Sequence, residues 1–216
     1  MTGLVFLHGW GYGTETWDEW IGGFGEAPVV VLNVGYFGTR RMDLPTNPDG
    51  WIGVGHSLGF ARLLEMDVPW RGLVGLSGLL RFCQKPGKTT GTPPQVVDAM
   101  IHRFDEKPED VLSRFHRRCG RAEACVGMPM AGGLARLRAD LEHLRDLDLI
   151  PDKGPVPTLL MHAEDDHIVP PDLAREAQSL LPGSRLELLN SGGHALPMTR
   201  TQDCLRLLQG FVTELG

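Results

Sequence analysis

The sequence predicts an α/β fold with a mostly parallel sheet, and three observations support that class. Short apolar runs rich in Val, Leu and Ile alternate along the chain with helical patterns. These runs are apolar at nearly every position, as expected for strands that are buried on both faces. The chain has 216 residues, a length that suits one domain or one core with an inserted segment.

Six short runs are predicted to be strands, and the predicted helices fit between them. The strands are expected at residues 3–7, 29–33, 51–55, 72–76, 157–162 and 185–189. Helices are expected at residues 14–24, 58–66, 171–181 and 201–215, where apolar residues recur at helical spacing. The third of these helices begins at Pro171, and proline is accepted in a first helical turn because its missing N–H is not needed there.

The stretch from residue 80 to residue 149 interrupts this alternation, and we refer to it as the cap segment. It shows no clear strand pattern, whereas Leu134, Leu137, Leu141 and Leu144 recur at helical intervals. We therefore expect a core formed by residues 1–79 and 150–216. A helical cap would be inserted into this core after the fourth strand.

Composition and charge exclude several classes of function. The net charge of −6 and the pI of about 5.7 argue against nucleic-acid binding, because phosphates would be repelled. The sequence has no apolar stretch of about 18 residues and no signal-peptide pattern, so we expect a cytoplasmic protein without membrane association. The four cysteines are scattered, which is typical of free thiols in a reducing compartment.

The residues Gly55-His56-Ser57-Leu58-Gly59 form a G-x-S-x-G pattern between a predicted strand and a predicted helix. This context is what a nucleophile elbow requires, since the serine must sit on a sharp strand-to-helix turn. The glycines let neighbouring backbone approach closely, and the helix N-terminus offers N–H groups to developing negative charge. Ser57 is therefore the predicted nucleophile, and the alternative is a glycine-rich turn with an ordinary serine.

A serine nucleophile needs a base and an acid that orients the base, in the chain order serine, acid, histidine. His194 follows the last predicted strand in a glycine-containing loop and is the predicted base, while the other seven histidines are interpreted as structural. Asp166 lies in the loop after the fifth strand, just before a proline-initiated helix, and is predicted to orient His194. Asp165 remains the alternative.

An oxyanion hole needs two backbone donors. One is expected to be the N–H of Leu58, directly after the nucleophile, and the other the N–H of Trp10 in the glycine-rich loop after the first strand. No metal or organic cofactor is predicted, because the sequence has no H-E-x-x-H, no paired cysteines, no Walker A motif and no strand-linked G-x-G-x-x-G.

Four pieces of the sequence, LVFLHGWG, VGHSLGF, AEDDHIVP and SGGHALP, resemble the α/β-hydrolase superfamily in content and in order. More narrowly, the HGWG loop, parts of the cap segment and residues 147–170 resemble the pimeloyl-[acyl-carrier protein] methyl ester esterases of biotin biosynthesis. The resemblance implies an α/β-hydrolase fold and a serine carboxylesterase that releases methanol from the carrier-bound ester. It also implies that Ser57, Asp166 and His194 form the triad. The sequence departs from the family pattern because it starts at the first parallel strand, so we expect the usual N-terminal antiparallel strands to be missing.

The same resemblance implies roles for the cap segment. Phe115 would line an acyl channel, and Met128 is interpreted either as a further lining residue or as part of the cap core. The acidic acyl-carrier protein that bears the substrate would be contacted by Arg114, Arg117, Arg118 and Arg121.

The charge pattern of the cap segment is evidence about an acidic partner that does not depend on the family resemblance. Residues 111–138 contain six arginines and one acidic residue, Glu123. Such a basic surface can attract an anionic partner, or it can be a solvated helical face with acids such as Asp140 and Glu142 nearby.

Hydrolases with many different substrates share the triad pattern. Two alternatives therefore stay open: a general carboxylesterase or other small-molecule hydrolase, and a non-catalytic protein that binds a ligand with the same fold. The intact triad with its glycines argues against the second alternative, since a receptor does not need all three groups.

Overall fold

The computed structural model describes residues 1–120, 127, 129, 131–150 and 154–216. Within these residues the strands are β1 (Gly3–Leu7), β2 (Val29–Leu32), β3 (Trp51–His56), β4 (Trp70–Leu76), β5 (Thr158–Ala163) and β6 (Arg185–Leu189). They form one sheet in the order β2-β1-β3-β4-β5-β6, and every neighbouring pair is parallel. The predicted strands and the predicted parallel sheet are confirmed, with strand ends that differ by at most two residues.

Helices cover both faces of this sheet because neighbouring strand residues point to opposite sides. In β1, Val5 and Leu7 belong to one buried cluster and Leu4 and Phe6 to another. The first cluster includes side chains of α1 (Leu58–Glu65), α5 (Pro171–Leu180) and the cap segment. The second includes side chains of α6 (Leu196–Thr199) and α7 (Thr201–Leu215).

The helix predicted over residues 14–24 is wrong. The structure has two short 3₁₀ helices there, Thr14–Trp17 and Ile21–Phe24. Gly22 and Gly23 disfavour a continuous α-helix, since glycine costs backbone entropy in a helix interior. The buried Trp17 and Trp20 lie three residues apart, the spacing that a 3₁₀ turn places on one side.

The described part of the cap segment holds three helices, joined by turns and irregular stretches. It contains α2 (Pro94–Glu106), α3 (Pro108–Arg118) and α4 (Ala131–Asp146), and none of its described residues belongs to the sheet. The division of the chain into a core and a cap stays a prediction. Arg121 and Met128, to which binding roles were assigned, lie outside the described residues. None of the helices in the described ranges is long and apolar enough to cross a membrane.

The strand order fixes where a ligand can bind. From β1 the chain first adds β2 on one side and then β3 on the other, so the order reverses between β1 and β3. In open parallel sheets, ligands bind outside the carboxyl ends of the strands at such a reversal. The loop after β1 and the turn after β3 meet there, because a Cβ added at Gly9 would lie 3.0 Å from the Cβ of Ser57.

Candidate active site

Ser57 occupies a strained turn between β3 and α1. Its φ of 53° and ψ of −120° lie in a region that non-glycine residues rarely adopt. The turn is tight enough to require both flanking glycines. A Cβ on Gly55 would lie 2.4 Å from the backbone nitrogen of Phe60, and one on Gly59 would lie 2.3 Å from the carbonyl oxygen of Leu7. The strand-turn-helix context expected for the G-x-S-x-G pattern is present.

Three buried side chains form a hydrogen-bonded chain at this turn. The Oγ of Ser57 lies 3.0 Å from Nε2 of His194, and Nδ1 of His194 lies 2.9 Å from Oδ2 of Asp166. An ionised carboxylate only accepts hydrogen bonds, so His194 carries its proton on Nδ1. Nε2 is then free to accept the Ser57 hydroxyl proton. The structure therefore brings together the three residues that the sequence singled out.

Asp166, rather than Asp165, faces the histidine. Its Oδ1 accepts the N–H groups of Ile168 and Val169, which fixes the carboxylate on its loop. Burial alone would raise the pKa of Asp166, but the electrostatic interaction with the His194 ring and the hydrogen bond to it outweigh burial and hold that pKa well below its usual range. Asp165 instead accepts the N–H of Gly193 at 2.8 Å.

One predicted oxyanion donor lies on the turn that carries Ser57, and the other lies on the loop that packs against this turn at Gly9. Leu58 begins α1, and first-turn N–H groups have no partner within their own helix. Trp10 lies in the loop that packs against the elbow, with its side chain buried. Its indole Nε1 donates to the carbonyl of Leu137 in α4 at 2.8 Å.

A cavity of about 440 Å³ opens beside Ser57 and His194. Phe115 lines it, and its ring packs edge-on against Trp10 with ring centroids 4.8 Å apart. The sequence did not identify most of the other lining side chains. They are mainly apolar and come from α2, α4 and the loops after β4 and β5: Leu79, Phe82, Val97, Met100, Leu144 and Ile168. The helical spacing of Val97, Met100 and Phe104 was the available signal for α2.

Fewer arginines of the cap segment lack an acidic partner than the composition of this segment suggests. Arg114 pairs with Asp110, and Arg138 pairs with Asp105 and Glu142. In the described part of the chain, neither Arg117 nor Arg118 forms an ion pair. Each of these two residues donates a hydrogen bond instead, to the Ser113 hydroxyl and to the His167 carbonyl respectively.

Three buried histidines that the sequence left as structural lie against the loops of the site. His8 contacts the carbonyl of Gly9, and His56 contacts the carbonyl of His194 itself. His162 contacts the carbonyl of Val169 at 2.8 Å and lies 3.4 Å from Oδ2 of Asp166. The partner of His56 lies 138 residues further along the chain, so no local motif signalled that contact. Among the residues that the structure describes, no three His, Cys, Asp or Glu side chains cluster as a metal site requires.

Burial keeps these histidines neutral. It lowers the pKa of His8 from 6.5 to about 4 and that of His56 to about 3, and it also lowers the pKa of His162. Below pH 6.5 the unfolded chain therefore binds protons that the folded chain does not, so stability falls as pH falls.

We expect the free energy of unfolding to decrease by roughly 2 to 4 kcal/mol between pH 7 and pH 5. His143 acts in the opposite direction, since its hydrogen bond to Glu65 raises its pKa, but it is a single partly exposed group. Urea denaturation at pH 7, 6 and 5 measures this dependence. Equal free energies at pH 7 and pH 5 would show that the buried histidines are not held neutral.

Comparison with known proteins shows to which family this chain belongs. A sequence profile described as the alpha/beta hydrolase fold matches residues 89–201, slightly more than half of the chain. The chain belongs to the α/β-hydrolase fold family. It is a hydrolase, as predicted, and the matched stretch includes Asp166 and His194.

Two curated relatives match nearly the whole chain. A pimeloyl-[acyl-carrier protein] methyl ester esterase from Aromatoleum aromaticum is 27% identical, with 97% of each chain covered. The biotin biosynthesis bifunctional protein BioHC from Cellvibrio japonicus is 24% identical over 99% of this chain, which spans only 48% of that longer protein. The first name agrees with the predicted class of carboxylic ester hydrolases, and the second names biotin biosynthesis.

A solved structure shows the same fold. The esterase EaEST from Exiguobacterium antarcticum superimposes with a TM-score of 0.80 at 20% identity, and the match covers 99% of this chain and 92% of that one. At that identity the likeness supports the architecture alone.

Proposed function

We propose that this α/β-hydrolase is a serine carboxylesterase in which Ser57 is the nucleophile, His194 the base and Asp166 the orienting acid. The observation that carries the proposal is the continuous hydrogen-bonded chain from Ser57 through His194 to Asp166, which opens on an apolar cavity. Nucleophile, base and orienting group lie within hydrogen-bonding distance of one another, which is the geometric signature of an activated serine.

The arrangement supports a two-step acyl transfer. His194 takes the Ser57 proton as the hydroxyl oxygen attacks the ester carbonyl, and the N–H groups of Trp10 and Leu58 stabilise the oxyanion. His194 then protonates the leaving alcohol, and the acyl group stays on Ser57. Water activated by the same histidine releases the acid and restores the serine.

We further propose that the substrate is the methyl ester of pimeloyl-acyl-carrier protein. Curated relatives that align with nearly all of this chain carry that activity or biotin biosynthesis in their names. The apolar lining of the cavity suits an unbranched acyl chain. The exposed guanidinium of Arg117 has no carboxylate partner among the described residues, so it can meet an acidic carrier protein. The proposal includes the cytoplasmic location expected from the sequence.

The test compares two esters with the same acyl group. Pimeloyl methyl ester is attached either to acyl-carrier protein or to pantetheine, and loss of the methyl group is followed by mass spectrometry. We expect a higher kcat/KM for the carrier-bound ester than for the pantetheine ester. Arg117→Glu should lower kcat/KM for the carrier-bound ester by about tenfold, because it replaces attraction with repulsion at the surface of the cap segment.

Arg206→Glu is the matched control, because Arg206 is an exposed arginine on α7, outside the cap segment. It should leave the preference for the carrier-bound ester unchanged. Absence of turnover of either pimeloyl ester, together with rapid cleavage of short nitrophenyl esters, would contradict the substrate assignment and favour a general carboxylesterase.

A further inference from the structure

Helix α3 is bonded to the loop that carries the proposed oxyanion donor. Nε2 of the buried His116 donates to the backbone carbonyl of Gly11 at 2.8 Å, and Gly11 directly follows Trp10. Phe115, the residue directly before His116, packs its ring against the Trp10 ring. The other side of Trp10 is held by α4, through the hydrogen bond from its indole to Leu137. Side chains and backbone of the cap segment thus hold this loop at two successive residues.

The same end of α3 also contacts the other two loops of the site. The carbonyl of Cys119 accepts the N–H of Ala195, the residue after the base, at 3.2 Å. The guanidinium of Arg118 donates to the carbonyl of His167, the residue after the orienting acid, at 3.3 Å. The last turn of α3 is therefore joined by hydrogen bonds to the oxyanion loop, the histidine loop and the acid loop.

We propose that His116 is a positioning residue for the oxyanion hole, a role that rests on the proposed esterase function. Gly11 has a φ of 73°, which glycine adopts without strain. Because glycine also adopts other φ values readily, other contacts must hold it in this conformation. The bond from His116 fixes the Gly11–Tyr12 peptide, whose N–H donates to the carbonyl of Gly9 at 3.3 Å. That carbonyl shares a peptide plane with the Trp10 N–H, so the direction of the Trp10 N–H is set through it. Oxyanion donors must be aligned to within about 0.5 Å, and loss of one donor lowers kcat by about 10²- to 10³-fold.

Two substitutions separate the hydrogen bond from the packing. His116→Phe keeps a ring among the neighbouring aromatic side chains but removes the donor, whereas His116→Gln keeps an N–H group near the Nε2 position. With a nitrophenyl ester, we expect His116→Phe to lower kcat about 10- to 100-fold with KM changed less than about threefold. Affinity for a trifluoromethyl ketone, which forms an oxyanion on Ser57, should fall by a similar factor. His116→Gln should recover most of both losses.

His102→Phe is the control, since His102 is an exposed histidine on α2 away from the cavity, and its activity should equal that of the parent enzyme. Thermal unfolding of each variant shows whether it is folded. If His116→Phe does not fold, His116→Asn replaces it, because its shorter amide does not reach the Nε2 position.

Three results would overturn the inference. The first is a folded donor-less variant with parental kcat and parental affinity for the ketone. The second is a kcat loss without any loss of ketone affinity, which would make His116 merely structural. The third is a parent enzyme that hydrolyses no ester, which would also overturn the proposed function and is recognised before any variant is made.

Discussion

Replacement of Ser57 by alanine should lower kcat for ester hydrolysis by about 10⁴-fold or more, with little change in stability. The expectation follows from the position of the Ser57 hydroxyl, 3.0 Å from Nε2 of His194 at the mouth of the cavity. Without this oxygen no acyl-enzyme can form, and only the residual effect of binding and the oxyanion donors remains. Steady-state kinetics with a nitrophenyl ester measure the loss, and urea denaturation measures the stability.

Ser77→Ala is a closely matched control. Ser77 is also buried at the end of a strand and also has a positive φ, 47°. Within the described ranges its Oγ has no hydrogen-bond partner, so its removal leaves no other group unsatisfied. We expect its kcat to stay within about threefold of the parent. Equal losses in the two alanine variants would mean that the strained turns, and not the Ser57 hydroxyl, carry the activity.

Replacement of Asp166 by asparagine should lower kcat by about 10³- to 10⁴-fold with the fold preserved. Asparagine has nearly the same shape, but its amide can present N–H groups to Nδ1 of His194. The ring would then carry its proton on Nε2 and could not accept the proton of Ser57. Kinetics with the nitrophenyl ester across pH 6 to 9 test this expectation, together with circular dichroism to verify folding.

Asp165→Asn distinguishes the two neighbouring carboxylates. Asp165 contacts the backbone N–H of Gly193 and not the histidine ring, and an asparagine oxygen can accept the same bond. We expect its kcat to fall by less than about tenfold. A larger loss with Asp165→Asn than with Asp166→Asn would show that the orienting acid is the other residue.

The sequence predicted the sheet and the candidate site because their determinants are local. Strands buried on both faces appear as short apolar runs, and β1 and β6 match their predicted bounds. The elbow is a five-residue pattern whose glycines are imposed by contacts with Phe60 and Leu7. The chain order of serine, acid and histidine left two neighbouring aspartates. The position of Asp166 before the proline-initiated helix favoured it, and the structure places it beside the His194 ring.

Other features could not be predicted because distant residues determine them. His56 was interpreted as structural, yet its ring contacts the backbone of His194, 138 residues further along the chain. The role of His116 depends on a carbonyl 105 residues away. The apolar spacing of residues 14–24 predicted one helix, but burial of Trp17 and Trp20 beside a glycine pair gives two 3₁₀ helices. Charge counts also missed that Asp110 pairs with two arginines, Arg103 and Arg114.

Identification of the residue that a serine-directed reagent modifies covalently tests the role of Ser57 as the nucleophile. The protein is treated with a fluorophosphonate, with and without excess ester substrate, and its intact mass and peptides are measured. We predict one adduct per chain, on Ser57, whose formation is slowed by the substrate and which is absent from Ser57→Ala. No adduct, or an adduct on another serine that persists in Ser57→Ala, would contradict the assignment of Ser57 as the nucleophile.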